Sequence, residues 1–178
     1  MENIIAITNQ LMASMTLGGQ LIVAVIVLSL VFRGRHNGTI QYIERNGLKL
    51  VFLIALGAVL VSLFYSNYIG FPPCTLCWWQ RIFMYGILIV SGVAVYKKGD
   101  TAAIDYLIWL TVFGTLVALD HVYLENTGIS LLPCDATAVS CSERFVYEYG
   151  YITIPVMSLT GFAMIATILG IKKTARNA

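Results

Sequence analysis

Five long apolar stretches limit what this chain can fold into. They cover about residues 11–32, 48–69, 76–96, 103–124 and 151–171. Each stretch reaches the length of about 20 helical residues that crosses the roughly 30 Å hydrocarbon core of a bilayer. Only 11% of the residues are charged, whereas a soluble domain carries about a quarter. The sequence therefore predicts an all-α, polytopic membrane protein.

The basic residues indicate how the five spans are oriented. If the spans alternate, nine of the eleven Lys and Arg residues fall on one side of the membrane. By the positive-inside rule this side is the cytoplasm, so the N-terminus lies outside. Residues 1–10 contain no Lys or Arg, so we predict that the first run is a retained span rather than a signal peptide. The nine residues are Arg33, Arg35, Arg45, Lys49, Lys97, Lys98, Lys172, Lys173 and Arg176.

The most informative local motif is a Cys-x-x-Cys pair, Cys74 and Cys77, directly after two prolines. We predict Pro73 at the first helical position, which places both sulfurs near a helix N-terminus, where free N–H groups favour a thiolate. Arg81 follows Cys77 by one turn on the same helix face. An arginine inside an apolar run indicates a site, although it can also extend its charged end to the lipid headgroups.

All four cysteines fall on the predicted outer side, where disulfides form and persist. The outer loop, at about 125–150, contributes Cys134 and Cys141. Within it, residues 143–149 mix charged and aromatic side chains, which suits either a short interfacial helix or an aromatic belt. Three interpretations are open: a structural zinc site, two inert disulfides, or redox exchange between two dithiol pairs. A reactive pair embedded in a membrane helix beside Arg81 favours redox exchange, so we predict no metal.

Redox exchange needs a terminal electron acceptor. The sequence contains no haem-attachment motif, no glycine-rich nucleotide fingerprint and no iron–sulfur spacing, so we predict a membrane-soluble quinone. Arg81 can polarise a quinone carbonyl, and Trp78 and Trp79 can stack on the ring. His121 can donate to a quinone oxygen or pass a proton. The alternatives are interfacial anchoring for the tryptophans and an interfacial pair with Glu125 for His121.

The string PCTLC at residues 73–77, followed by Gln80 and Arg81, resembles the signature of the DsbB/BdbC family of bacterial quinone-coupled disulfide-forming membrane proteins. The outer cysteine pair and residues 145–155 resemble the BdbC branch. The resemblance implies a four-helix bundle to which run 11–32 is an additional transmembrane helix. We expect an N-terminal helix and cytoplasmic loop at 1–47, a redox bundle at 48–171 and a cytoplasmic tail at 172–178.

The resemblance also implies a function. A periplasmic or extracellular thioredoxin-like thiol oxidase (DsbA/BdbD-like) is reoxidised at the outer face of the bacterial cell membrane, and its electrons pass to ubiquinone or menaquinone. By the family pattern, the partner's thiolate attacks Cys134, Cys141 attacks Cys74, and Cys77 leaves as the thiolate. The helix end and Arg81 are both expected to favour Cys77 as that thiolate.

Two other classes of function stay open. A vitamin K epoxide reductase-like enzyme also combines a four-helix bundle, a Cys-x-x-Cys pair and a quinone, but there the redox pair typically follows the loop pair along the chain. A non-enzymatic membrane chaperone or assembly factor would carry two structural disulfides. The net charge of +2 is too small and too dispersed to indicate a nucleic-acid partner.

Overall fold

The computed structural model describes residues 2–33, 38–97, 102–134 and 140–176, and most of them are helical. Each of the five helices is long and apolar enough to cross a membrane. The predicted all-α fold, with an additional N-terminal transmembrane helix, is confirmed. The helices are α1 (Glu2–Arg33), α2 (Gly38–Leu63), α3 (Thr75–Tyr96), α4 (Ala103–Thr127) and α5 (Ile154–Arg176), and a π-helical segment, Phe64–Ile69, extends α2.

The helix α2 begins ten residues before the predicted span, so the prediction that residues 38–47 belong to a loop is wrong. Ile40 and Ile43 in this segment are buried against the bundle, because they repeat at the spacing of one helix face. The Lys172 Nζ atom also donates to the Glu44 carbonyl oxygen at 2.8 Å. The segment is too polar to register as a hydrophobic run, although it is helical and packed.

Helices α2 to α5 form a four-helix bundle in which α3 packs between α2 and α4, and α5 closes the ring against both α4 and α2. Its core contains the fully buried side chains of Ile87, Leu107 and Ile165. The α4–α5 contact is close at Gly114, where a Cβ atom would lie 2.3 Å from the Phe162 ring. Helix α1 lies outside the ring and packs mainly on α5.

The two ends of the bundle differ in chemistry. At one end, Lys173 and Arg176 form ion pairs with Asp105 at 3.5 and 2.9 Å. The π-helical segment and the described cysteines lie at the opposite end. Of the predicted cytoplasmic basic residues, Arg35 and Lys98 lie outside the described residues.

The connection between α4 and α5 contains no helix at residues 143–149, so the interfacial helix considered for this segment is not formed. Instead, Glu148 and Ile152 form an isolated antiparallel bridge. Between these two bridged residues, Tyr149 has a φ angle of 51° and Gly150 has a φ angle of 79°. Positive φ angles do not fit a right-handed helix, so the chain turns here. The turn brings Tyr149 to α1, where its hydroxyl lies 3.0 Å from Ser14 Oγ.

Candidate redox site

The start of α3 is set by Cys74, which is the N-cap residue and has extended backbone angles. Its Sγ atom accepts a hydrogen bond from the Cys77 N–H at 3.4 Å, which satisfies one of the free donors of the first turn. The helix therefore begins at Thr75, and the prediction of Pro73 at the first helical position is wrong by two residues. Both sulfurs nevertheless lie at the helix N-terminus, as predicted.

Cys74 and Cys77 are free thiols, and their Sγ atoms lie 3.0 Å apart. A hydrogen bond from the Cys77 thiol, together with the His121 imidazole, lowers the pKa of Cys74 to about 4 although burial opposes the shift. The sulfur stabilised as a thiolate is therefore that of Cys74. The expectation that Cys77 leaves as the thiolate concerns a different state, in which Cys74 is bonded to Cys141, and it stays a prediction.

His121, on α4, is only 3% exposed and lies between the two cysteine pairs. Its Nε2 atom is 3.0 Å from the Cys141 carbonyl oxygen and 3.8 Å from Cys74 Sγ. Its Nδ1 atom is 3.0 Å from the Gln80 Nε2 atom. A carbonyl oxygen only accepts and an amide nitrogen only donates, so we assign the proton of the neutral ring to Nε2. That proton faces both the loop pair and the helix pair.

Cys134 and Cys141 are joined as a disulfide. Cys141 is buried and Cys134 is half-buried. Cys74 and Cys141 share one apolar cluster with Leu76, against which Cys77 and Cys134 also pack. The structure thus brings together all four cysteines that were predicted to be catalytic.

Arg81 is nine-tenths buried and turned toward α2 rather than toward the membrane surface. Its Nε and Nη2 atoms donate to the Ser62 Oγ and carbonyl oxygen, both at 2.9 Å. Its Cζ atom also lies 5.2 Å from the centre of the Trp78 ring. Two hydrogen bonds and a cation–π contact compensate for the loss of water around the charge. The guanidinium is therefore held in one place.

A cavity of about 580 Å³ lies between α1, α2, α3 and α5 and reaches α4 at His121. Cys74, Cys77, Arg81 and His121 line it, and apolar side chains form most of the rest. Its size falls within the range of about 300–1,000 Å³ that holds small-molecule ligands. Neither of the two predicted tryptophan ligands lines it. Trp78 and Trp79 are 52% and 46% exposed, on the outer surface of the bundle.

Sequence reasoning gave no role to Asp120, which anchors the loop in front of Cys134. Its carboxylate accepts from the Leu131 N–H at 2.8 Å, the Leu132 N–H at 3.3 Å and the Ser130 hydroxyl at 2.9 Å. The sequence signal for Asp120 was an acidic residue at the end of an apolar run, next to His121.

Two further polar residues lie at the site: Gln80, which had no predicted role, and Glu125, which was considered only as a partner of His121. Gln80 orients His121 through its contact with Nδ1. The only sequence signal for Gln80 was its place beside Arg81 in the string that resembles the family signature. Glu125 accepts from the Thr153 hydroxyl at 2.6 Å. The hydrogen-bond partners of the His121 ring are Gln80, the Cys141 carbonyl oxygen and Cys74 rather than Glu125.

A membrane bundle that holds a disulfide and a thiol pair at one end, with a histidine between them, belongs to the class of thiol–disulfide redox proteins. The chain is a member of the DsbB family, because the family model described as "Disulfide bond formation protein DsbB" matches residues 44–172. The resemblance predicted from the sequence is therefore confirmed. Membership implies an oxidoreductase role in disulfide formation, in a multi-pass membrane protein.

Individual relatives agree with this assignment. The chain is 38% identical over 125 residues to the SPbeta prophage-derived disulfide bond formation protein B of Bacillus subtilis (strain 168), covering 70% of this chain and 83% of the relative. It is 36% identical over 133 residues to disulfide bond formation protein C of the same organism, covering 70% and 94%. A probable disulfide formation protein C 2 of Bacillus cereus is 30% identical over 132 residues, covering 74% and 94%. No solved structure matches the chain significantly.

Proposed function

We propose that this protein is a protein-dithiol:quinone oxidoreductase that reoxidises an extracytoplasmic thioredoxin-like thiol oxidase. Electrons enter at Cys134 and Cys141 and leave from Cys74 and Cys77. One observation carries the proposal: the Nε2 atom of His121 lies 3.0 Å from the Cys141 carbonyl oxygen and 3.8 Å from Cys74 Sγ. The two pairs also pack in one apolar cluster, so an exchange between them needs no large rearrangement of the bundle.

The exchange begins at the loop pair. A thiolate of the partner attacks Cys134 Sγ, the Cys134–Cys141 bond breaks, and Cys141 leaves as a thiolate. The Cys141 thiolate attacks Cys74 Sγ of the oxidised helix pair, and Cys77 leaves as a thiolate. The second partner thiolate then forms the partner's disulfide and releases Cys134. Cys134 re-forms its bond to Cys141 and frees Cys74, so two electrons move from the partner to the helix pair.

The surroundings of Cys74 support the last of these steps. A thiol of low pKa leaves faster in disulfide exchange, and the pKa of Cys74 is lowered to about 4 by the Cys77 thiol and His121. The amide of Gln80 keeps Nδ1 of His121 in the accepting role, so that Nε2–H points to the sulfur. Helix α3, His121 and Gln80 thus favour release of Cys74 and restoration of the loop disulfide.

The cavity fits a quinone as the electron acceptor. It is large enough, mostly apolar, and carries a fixed guanidinium and an imidazole N–H beside the helix cysteines. When bound, a quinone supplies an acceptor for two electrons and two protons. Arg81 would bind an electron-rich quinone oxygen through its remaining N–H groups. His121 would hold a proton at Nε2 next to the same space.

The proposed location is a bacterial cell membrane, with the cysteine end of the bundle on the periplasmic or extracellular side. The distribution of charge supports this orientation, since Lys173 and Arg176 lie at the other end, beside Asp105. A soluble partner would then reach the half-buried Cys134 from the oxidising compartment.

The decisive experiment mixes oxidised purified protein with a reduced thioredoxin-fold partner that retains only its attacking cysteine. Such a partner cannot resolve a mixed disulfide, so we expect a covalent complex on non-reducing gels, linked at Cys134 by peptide mapping. The Cys134→Ser variant should give no complex. A linkage at Cys74 or Cys77 would mean that the partner attacks the helix pair directly, and the proposed order would be wrong.

The complete partner, with both cysteines, tests the acceptor. Wild-type protein should then produce one quinol for each partner disulfide at steady state. Cys77→Ser should still form the trapped complex with the single-cysteine partner but produce no quinol with the complete one. If many equivalents of partner per protein molecule are oxidised under anaerobic conditions while the quinone stays unreduced, quinone is not the acceptor.

A further inference from the structure

Helix α1 lies outside the part of the chain that matches the family, yet polar contacts fix it to the bundle. The Tyr65 hydroxyl donates to Asn9 Oδ1 at 3.0 Å, and both residues are buried. The Gln20 amide donates to Thr160 Oγ1 at 3.1 Å, and its oxygen accepts from the Tyr151 hydroxyl at 2.7 Å. Hydrogen bonds between membrane helices specify position because lipid offers no competing partner. Helix α1 therefore has a defined place.

This placement leaves a space between α1 and α2. Helix α1 packs closely on α5 but touches α2 at few points, and the apolar part of the cavity lies between these two helices. The walls there are aliphatic and thioether side chains, which adapt well to a flexible apolar ligand. They include Met12, Met15 and Ile22 from α1 and Leu53, Ile54 and Val61 from α2.

Two glycines mark this space at the same depth. Measured from the Asn9–Tyr65 contact, Gly18 is nine residues along α1, or about 13.5 Å. Gly57 is eight residues back from Tyr65, through the start of the π-helical segment and into α2, or about 12 Å. Both line the cavity, and a Cβ atom at either would meet nothing within 4 Å. By contrast, a Cβ atom on Gly19 would lie 3.0 Å from the Met164 sulfur of α5.

We infer that α1 and α2 form a channel for the isoprenoid tail of the quinone, so that α1 completes a substrate site which the four-helix core alone would leave open. This inference rests on the proposed function. The polar end of the cavity, at Arg81 and His121, suits the quinone ring, and the channel starts beside it. Ser62, which binds Arg81, is five residues from Gly57 in α2, or about 7.5 Å along the helix. The channel therefore begins where the isoprenoid tail would leave the quinone ring.

The test compares two quinones with the same ring system: a menaquinone with an isoprenoid tail, and dimethylnaphthoquinone, which has no tail. Leucine at Gly18 or Gly57 would fill the channel without a backbone clash. We expect Gly57→Leu and Gly18→Leu to weaken binding of the tailed quinone about tenfold or more, as when about two methylene groups lose their burial. Binding of dimethylnaphthoquinone should not change. Dissociation constants come from the rise in Tm with quinone concentration, and KM values provide a second readout.

Gly170→Leu is the matched control. Gly170 is exposed on α5, its Cβ atom would also meet nothing within 4 Å, and it lines a different, smaller cavity. This variant should bind both quinones like the wild type. Met15→Trp, at an exposed lining residue, tests the same wall if either glycine variant does not fold.

The outcomes separate this inference from the proposed function. If the wild type binds and reduces neither quinone, the proposed function fails. If the wild type reduces both quinones, but the leucine variants weaken both equally or leave the tailed one unaffected, the channel is refuted and the proposed function stands. A selective loss for the tailed quinone supports the channel.

Discussion

Replacement of Asp120 tests whether the loop disulfide is held against the helix pair by this single carboxylate. Asp120 accepts hydrogen bonds from the Leu131 and Leu132 N–H groups, at 2.8 and 3.3 Å, and from the Ser130 hydroxyl at 2.9 Å. These three residues come directly before Pro133 and Cys134. In Asp120→Ala the two N–H groups lose their acceptor, so the chain leading to Cys134 should open more often.

The expected increase in the exchange rate follows from the shorter of the two hydrogen bonds that backbone N–H groups donate to Asp120, the one from Leu131. A hydrogen bond to a charged group contributes about 1.5–3 kcal/mol, and each 1.4 kcal/mol is about a factor of ten in an equilibrium constant. The amide hydrogen of Leu131 should therefore exchange with solvent about 10- to 150-fold faster in Asp120→Ala. Asp120→Asn keeps one carbonyl oxygen as acceptor but no charge, and should give a smaller increase.

Hydrogen exchange of the peptide covering residues 128–134, followed by mass spectrometry, measures the effect. Asp105→Ala is the control, since it removes the same charge at the opposite end of the bundle, where Asp105 pairs with Arg176. We also expect slower electron transfer from Cys141 to Cys74 in Asp120→Ala. Unchanged exchange at Leu131 would show that the carboxylate does not hold the loop, and equal acceleration in Asp105→Ala would show a global effect.

Three shorter predictions concern the thiolate, the arginine and the helix packing. Because the pKa of Cys74 is lowered to about 4 from its ordinary value near 9, the extra stability of the reduced pair is fully present above about pH 9 and is lost as pH falls through 4. The ultraviolet absorbance of the thiolate should titrate near pH 4, and a midpoint near 9 would contradict the assignment. Arg81→Ala should impair quinone reduction far more than folding. Arg81→Lys should be intermediate, because lysine keeps the charge but lacks the planar fork that binds Ser62. Wild-type quinone kinetics in Arg81→Ala would exclude a role of Arg81 in quinone reduction. Gly114→Ala should lower the free energy of unfolding by about 1–3 kcal/mol, since its Cβ atom would lie 2.3 Å from the Phe162 ring, whereas Gly18→Ala, which meets nothing, serves as the control in the same denaturation assay.

The helices and the general position of the site follow from local properties of the sequence. The length and hydropathy of a run decide whether it crosses a membrane, and both are properties of neighbouring residues. The same reasoning placed Cys74, Cys77 and Arg81 on one face of a helix, because the helical repeat fixes their relative angle. It failed at residues 38–47, where packing keeps a polar segment helical, and at Pro73, where the Cys74 side chain takes the capping position.

The contacts between helices were decided by the tertiary structure. A helix in lipid can be apolar on every side, so its sequence does not mark the face that meets a neighbour. Consequently nothing local indicated that His121 of α4 would lie between Cys74 and Cys141, that Trp78 and Trp79 would face outward, or that α1 would line the cavity. The low pKa of Cys74 is due first to the neighbouring Cys77 thiol, but also to an imidazole 47 residues away along the chain. Local sequence determines which segments cross the membrane, whereas the rotation of each helix about its axis, and with it the chemistry of the site, depends on contacts between distant residues.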